Sequence, residues 1–111
     1  MVLLKNNVPL LLGLLGFYRT MIQEHSARAI VPYCQALCKF APHIQQLDME
    51  SNGKRINTKG EEIKYQTAVV NFGEPGTNGQ HSFFQLLHQG RVIPIEFIGF
   101  TKSQQPTSVE G

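Results

Sequence analysis

The sequence predicts an α/β fold in which helices alternate with the strands of a parallel sheet. Three short runs are apolar and rich in β-branched residues, as buried strands are: "ARAIVPY" at 27–33, "TAVVNF" at 67–72 and "RVIPIEFIGF" at 91–100. A segment of helical periodicity or composition precedes each run. The resulting order, α-β-α-β-α-β, is typical of a doubly wound parallel sheet, here a thin one of three strands. The length of 111 residues fits one modest domain.

The first helix is predicted over residues 8–24, where Leu, Met, Ile and Phe dominate and only Gly13 and Gly16 lower the helix propensity. Because this helix is apolar on nearly all sides, it needs covering on more than one side. Its uninterrupted apolar run, from Pro9 to Tyr18, is far shorter than the roughly 20 residues that span a bilayer, and no small-x-small cleavage pattern follows it. We therefore predict a core helix and no membrane partner, although length alone leaves a signal-peptide core open.

The second helix is predicted from Gln35 to about Met49, where apolar residues recur at spacings of three and four. The Asn-Gly pair in "SNGK", 51–54, ends this pattern, since both residues tolerate a left-handed conformation. Residues 54–66 are polar and lysine-rich, which indicates a loop or a small hairpin.

The third helix is predicted from about Asn78 to His88, with Phe83, Leu86 and Leu87 on one side. In the strand that follows, Pro94 lacks a backbone donor and therefore predicts an edge position or a bulge.

Composition and charge argue against a nucleic-acid partner and against a metal site. A formal net charge of +2 is too weak to indicate a nucleic-acid partner, and no cluster exceeds two basic residues in a row. Cys34 and Cys38 are the only cysteines, and at i and i+4 on a predicted helix they would share one face. No second pair or nearby histidine completes a metal site, so we expect buried, reduced thiols, as in a reducing cytosol.

A glycine-rich stretch, "GEPGTNGQ" at 73–80, joins the second strand to the third helix. In parallel sheets ligands bind at the carboxyl ends of the strands, where such loops gather. Glycine permits a positive φ and close approach of the backbone, and a helix start offers free N–H groups. The stretch matches neither GxGxxG nor GxxxxGK[ST], so by itself it indicates a turn more often than a binding loop.

Three polar residues near these elements are candidates for chemistry. His81 is predicted three or four residues inside the third helix, where the dipole of the helix start disfavours a charged imidazole. His88 is seven residues further along the same face, and we interpret it as a packing residue. Glu50 ends the second helix, where the dipole opposes a carboxylate, and Gln46 lies one turn before it on the same face.

Two motifs carry a specific resemblance. "MESNGK" at 49–54 and "GEPGTNGQHSFFQLLHQG" at 73–90 closely resemble segments of the glucose-6-phosphate isomerase family, and "ARAIVPY" and "KSQQP" are similar to its plant and plant-like bacterial branch. The resemblance implies a two-domain dimeric enzyme with sugar-isomerase (SIS) domains, each an α/β/α sandwich. Since members of the family are several times longer, residues 1–111 are expected to be an internal fragment of one SIS domain.

The resemblance also implies roles for the candidate residues. Glu50 matches the base that shuttles a proton, and His81 matches the histidine that helps to open the sugar ring and is lent across the dimer interface. Gln46 matches a glutamine that contacts the substrate phosphate. The implied reaction interconverts glucose 6-phosphate and fructose 6-phosphate in the cytoplasm, in glycolysis and gluconeogenesis, through a cis-enediol and without a metal or other cofactor. We expect Glu50 and Gln46 near the carboxyl edge of the sheet, facing the cleft of the glycine-rich loop.

Two other interpretations remain open from the sequence. One is a non-catalytic SIS module that senses sugar phosphates, although such a sensor has no need of a base at Glu50. The other is an incomplete product without activity of its own, since other catalytic and phosphate-binding groups of the family lie outside these 111 residues.

Overall fold

The computed structural model describes residues 4–103 and contains a three-stranded, fully parallel sheet with the strand order β2-β1-β3. The predicted α/β fold with a parallel sheet is therefore confirmed. The strands and helices in chain order are α1 (Val8–Phe17), β1 (Ala27–Pro32), α2 (Phe40–Ile44), β2 (Val70–Phe72), α3 (Gly76–Gln80), α4 (Phe84–Gln89) and β3 (Ile95–Ile98).

The core is centred on β1, which has a partner strand on each side. Ala29, Ile30 and Val31 of this strand are buried almost completely, and its apolar run suits a strand that is covered on both faces. The Pro94 carbonyl accepts the N–H of Ala29 at 2.9 Å, and β3 begins directly after that proline. The edge position predicted from Pro94 is thus confirmed, and the third strand is shorter than the predicted range of 91–100.

Helix α1 is continued by a π-helical turn, Tyr18–Ile22, so a helix over most of the predicted range 8–24 is confirmed. Its first turn is capped by Asn7, whose side chain accepts the N–H of Leu10 at 3.2 Å, and Pro9 fits the start of a helix. No residue of α1 is buried. Within residues 4–103 no helix combines the length and the apolar character that crossing a membrane requires.

The predicted second helix is divided into three pieces. A 3-10 helix, Gln35–Leu37, precedes α2, and a π-helical segment, Gln45–Glu50, follows it without a break. Cys34 has an extended backbone and lies outside this helix, so the prediction that Cys34 and Cys38 share a helical face is wrong. Both thiols are free and half-buried.

The segment between the second helix and β2 forms the small hairpin that was one of the two predictions for it. An isolated antiparallel bridge joins Ile56 to Glu62, and the Asn57 side chain closes the turn between them. Strand β2 then covers only Val70–Phe72 of the predicted range 67–72.

The third helix is interrupted by a turn at residues 81–83, which separates α3 from α4. Phe83 has a φ of −131°, and its ring packs edge-on against Phe72 at 5.2 Å between centroids. That ring also lies directly over Gly79. Because an aromatic contact with the sheet interrupts the helix, the prediction that His81 and His88 share one continuous helical face is wrong.

Candidate functional site

The π-helical segment Gln45–Glu50 carries Gln46 and Glu50, and its direction determines where they lie. The Nε2 of Gln45 donates to the backbone carbonyl of Asn71 at 2.9 Å, and one turn later the sulfur of Met49 accepts the N–H of Asn71 at 3.4 Å. Since the helical stretch leaves the carboxyl end of β1 and runs back beside β2, Glu50 at its end lies near the amino ends of the strands. The expectation that Glu50 lies near the carboxyl edge is therefore wrong, whereas the same expectation for Gln46, which follows the Gln45 bonded to the middle residue of β2, stays a prediction.

The amino edge is also where the chain after Glu50 returns to the sheet. The Lys54 side chain donates to the backbone carbonyl of Glu50 at 2.6 Å, and its own backbone is bonded to the hydroxyl of Thr67, just before β2. At the start of β2, the N–H of Val70 donates to the carbonyl of Ser26, directly before β1. Glu50 thus lies beside strand ends rather than on an isolated face.

Both side chains are open to solvent. Gln46 and Glu50 are exposed, and neither the amide nor the carboxylate makes a hydrogen bond or ion pair with the residues between 4 and 103. The inner residues of the same segment, Gln45 and Asp48, are half-buried against the sheet. The segment therefore has an outer side that is free to meet a ligand and an inner side that is held in place.

An open cavity of about 690 Å³ lies next to this segment, at the amino edge of the sheet. Met49 and Val70 contribute to its wall, together with His25 and Met21 from the chain before β1. None of the three predicted site residues lines it. The cavity and the exposed carboxylate of Glu50 are neighbours rather than parts of one enclosed pocket.

His81 lies at the opposite edge of the sheet. It caps the end of α3, where its N–H donates to the carbonyl of Asn78 at 3.0 Å, and its side chain is exposed. Helix α3 is fixed to the carboxyl end of β1 by Tyr33, whose hydroxyl accepts a hydrogen bond from Gln80 at 2.8 Å. The prediction that His81 lies inside a helix, near its start, is wrong, and within one chain Glu50 and His81 do not meet.

The glycine-rich loop leaves β2 as expected, and its glycines serve the packing of the chain itself. Gly73 has a φ of 153°, and a Cβ at this position would overlap the carbonyl oxygen of Ile30. A Cβ at Gly76 would overlap the ring of Tyr33. The predicted positive φ is thus confirmed at Gly73, and the close approach that these two glycines permit is to β1 and the residue after it.

His88, interpreted as a packing residue, lies in α4 with its ring 6.2 Å from that of Phe84 in an edge-on arrangement. This contact agrees with that interpretation. Among the described residues 4–103, no group of three or more histidine, cysteine, aspartate or glutamate side chains could hold a metal ion.

A cluster of charged and polar side chains that the sequence interpretation missed connects all three strands. Arg28 on β1 donates from Nε and Nη2 to Oδ1 of Asn71 on β2, at 2.9 and 2.7 Å, and from Nη1 to Glu96 on β3 at 3.2 Å. The Nδ2 of Asn71 donates to Asp48 at 2.7 Å. A polar residue in each of two apolar strands, Arg28 in "ARAIVPY" and Asn71 in "TAVVNF", was the available signal.

Comparison with known proteins places these elements in a family. A model of the phosphoglucose isomerase family matches residues 2–110. The cytosolic glucose-6-phosphate isomerase of Spinacia oleracea is 59% identical over 108 residues, which are 97% of this chain and 19% of the relative. The cytosolic enzyme of Arabidopsis thaliana is 58% identical over 96% of this chain and 19% of its own length. The chain thus spans about a fifth of the length of these curated relatives.

Comparison with solved structures supports the same family. A glucose-6-phosphate isomerase from Chlamydia trachomatis superposes with a TM-score of 0.82 and 45% identity, covering 89% of this chain and 19% of that one. A hypothetical protein from Thermus thermophilus, with a TM-score of 0.63 and 22% identity, covers 89% of this chain and 22% of its own and is alike in fold alone. The match over residues 2–110, the identity to plant relatives and the shared parallel sheet lead to one conclusion: this chain belongs to the phosphoglucose isomerase family.

Proposed function

We propose that this chain is part of a glucose-6-phosphate isomerase, which interconverts glucose 6-phosphate and fructose 6-phosphate. The observation that carries the proposal is the family match over residues 2–110, within which the "MESNGK" and "TNGQH" motifs supply Glu50 and His81. We further propose that residues 1–111 belong to a single SIS domain of that enzyme. The names of the plant relatives, which are cytosolic enzymes, support a cytosolic location.

In this proposal Glu50 is the base. Moving the carbonyl from C1 to C2 requires removal of the proton on the carbon next to the carbonyl and its return to the neighbouring carbon, through a cis-enediol. One carboxylate can perform both transfers, so neither a metal nor a nicotinamide is needed. The exposed Glu50 carboxylate is bonded to no residue between 4 and 103, which leaves both of its oxygens available to the substrate.

His81 is proposed to assist ring opening in the site of a second chain, where it exchanges a proton with the ring oxygen. The positions of the two residues support this arrangement, because Glu50 lies at the amino edge of the sheet and His81 at the carboxyl edge. A complete site then needs Glu50 from one subunit and His81 from its partner, which makes the enzyme a homodimer. Gln46, exposed one turn before Glu50, is proposed to contact the substrate phosphate.

The role of Glu50 can be tested in a full-length chimera in which this chain replaces the matched 108 residues of the spinach relative. Glu50→Gln keeps the shape and removes the base, so kcat should fall by about 10²–10⁴-fold while fructose 6-phosphate still binds. Glu62→Gln is the matched control, because its carboxylate is 68% exposed and lies in the small hairpin. Parental kcat in Glu50→Gln would contradict the role of Glu50 as the base, whereas a parent chimera that binds fructose 6-phosphate without turning it over would favour a sugar-phosphate sensor.

The role of His81 can be tested with ring-closed and open-chain substrates in the same chimera. His81→Ala should reduce turnover of the ring-closed sugar far more than turnover of an open-chain analogue, since only the former needs ring opening. His88→Ala, an exposed histidine of α4, is the control and should leave both rates unchanged. Equal losses with the two substrates would contradict the ring-opening role.

The same variants test whether His81 acts in the active site of the partner subunit. When chains carrying only Glu50→Gln are mixed with chains carrying only His81→Ala, each mixed dimer contains one site with both residues intact. Random exchange of subunits should then restore about a quarter of the parental activity, since half of the dimers are mixed and each has one working site. If both residues served the site of their own chain, mixing would restore nothing.

A further inference from the structure

The segment that carries Glu50 is bonded at three places to Asn71, a buried residue of β2 that is 1% exposed. Its carbonyl accepts from the side chain of Gln45, its N–H donates to the sulfur of Met49, and its side-chain amide donates to Asp48. These three contacts cover the inner side of Gln45–Glu50. A π-helical turn is wide and seldom stable by itself, so its shape depends on such contacts, and π-helical turns are frequent at functional sites.

The carboxylate of Asp48 joins the sheet to the residues on both sides of Glu50. Its Oδ2 accepts from Nδ2 of Asn71 at 2.7 Å, and its Oδ1 accepts from Nδ2 of Asn52 at 3.0 Å. Asp48 is two residues before Glu50 and Asn52 is two residues after it. The backbone that carries the Glu50 side chain is therefore fixed from two directions by one carboxylate.

Arg28 determines which way the Asn71 amide points. A guanidinium can only donate, so the Asn71 oxygen must face Arg28 and the Asn71 NH₂ group must face Asp48. Arg28 is itself fixed by Glu96 at 3.2 Å, and its Nη2 lies 3.9 Å from Asp48 Oδ2. The Asn71 amide therefore cannot flip, because the flipped amide would place its NH₂ group against the Arg28 guanidinium.

We propose that Arg28, Asn71 and Asp48 form a positioning network that sets the place of the Glu50 carboxylate relative to the sheet, and hence relative to the bound sugar. The proposal rests on the function proposed above for Glu50. None of the three residues is assigned a contact with substrate. They act through the backbone on either side of Glu50, where a displacement of about 1 Å can cost on the order of 10² in rate.

The first test is Asp48→Asn in the full-length chimera. An amide at this position has one acceptor oxygen in place of two and no charge, so its bond to Asn71 is weaker and its bond to Asn52 persists only if the exposed Asn52 amide reverses. We expect kcat to fall about 30-fold and KM for fructose 6-phosphate to change by less than about threefold, because Gln45 still holds the part of the segment that carries Gln46.

An exchange of the two partners separates positioning from general damage. Asn71→Asp alone brings two carboxylates together and should lower kcat at least as far as Asp48→Asn does. The double variant with both changes restores one donor and one acceptor between the two residues, while Arg28 still has an oxygen to donate to. We expect its kcat to recover to within about fivefold of the parent. Two merely destabilising changes would add, so a double variant worse than both single variants overturns the proposal.

Asn52→Ala keeps the test decisive if Asp48→Asn gives no soluble protein. The Asn52 side chain is exposed, and its loss removes only the outer bond to Asp48, so kcat should fall about three- to tenfold with a parental thermal midpoint. Parental kcat in Asn52→Ala and in any soluble Asp48→Asn protein overturns the proposal. Glu50→Gln separates the two hypotheses: if it is active, the role proposed for Glu50 fails, and if it is inactive beside fully active network variants, only the positioning role fails.

Discussion

At the scale of single residues, the interior of the sheet combines apolar packing with one fully bonded amide. Asn71 is buried opposite Arg28 of β1, and burial of an amide costs free energy unless its groups find partners. Here both side-chain groups and both backbone groups are bonded. No buried side-chain nitrogen or oxygen within residues 4–103 lacks a partner. The burial of Asn71 therefore need not lower the stability of the fold, because each of its polar groups has a hydrogen-bond partner.

Gly73 gives a prediction at the same scale. Gly73→Ala should lower the free energy of unfolding by at least about 2 kcal/mol, because its φ of 153° is strained for alanine and the new Cβ would overlap the Ile30 carbonyl. Gly99→Ala is the matched control: it lies after β3 with open space around it and without a positive φ, and it should be nearly neutral. Thermal unfolding of the two chimeras would measure the difference, and equal midpoints would contradict this account of the loop.

The predicted site residues show what a sequence can give at this scale. The motifs were enough to select Glu50, Gln46 and His81, and the structure finds all three exposed. His81 was expected beside the loop at the carboxyl edge and lies there, whereas the place of Glu50 was mispredicted. The predicted order of strand, helix and parallel strand already implied the amino edge for Glu50, because a helix that joins two parallel strands runs back from their carboxyl ends to their amino ends. Asn71 was overlooked because the sequence of a strand shows that a residue is polar but does not show which residues of other elements will bond to it.

At the scale of elements, the type and order of the strands and main helices could be predicted, while their continuity could not. Periodicity predicted one helix near 35–49 and one near 78–88, and each region is helical but divided. The second division follows from the contact of Phe83 with Phe72, a residue of another element, which no local pattern contains. The strands were predicted too long because apolar character extends beyond the residues that find a hydrogen-bonded neighbour.

Helix α1 is the element with the least support from the rest of the chain. Six large apolar side chains along it are each 45–61% exposed, namely Val8, Leu10, Leu12, Leu14, Leu15 and Phe17. The sequence indicated a helix that needs cover on several sides, and among residues 4–103 only Leu11 and Gly16 of this helix are even half-buried. An exposed apolar surface of this extent on a soluble protein indicates an interaction surface or a tendency to aggregate.

At the scale of the whole molecule, we predict that these 111 residues, expressed alone, aggregate and have no measurable isomerase activity. A small domain has about 5–15 kcal/mol of stability in total, and each exposed leucine forgoes about 1.5–3 kcal/mol of burial. Within one chain, Glu50 and His81 also lie at opposite edges of the sheet. Ultracentrifugation and turnover of fructose 6-phosphate would test this. A soluble monomer with a cooperative thermal transition and turnover would contradict it.

The central place of β1 has a consequence for synthesis on the ribosome. β1 is the first of the three strands to be made, yet its two neighbours are β2 and β3, and β3 is complete only at Ile98. At about 5–20 residues per second, the ribosome needs several seconds to extend the chain from Pro32 to that point. During this interval the apolar stretch Ala29–Val31 has an open hydrogen-bonding edge. The nascent strand therefore exposes an apolar, unpaired edge of the kind that makes unfinished chains prone to aggregation.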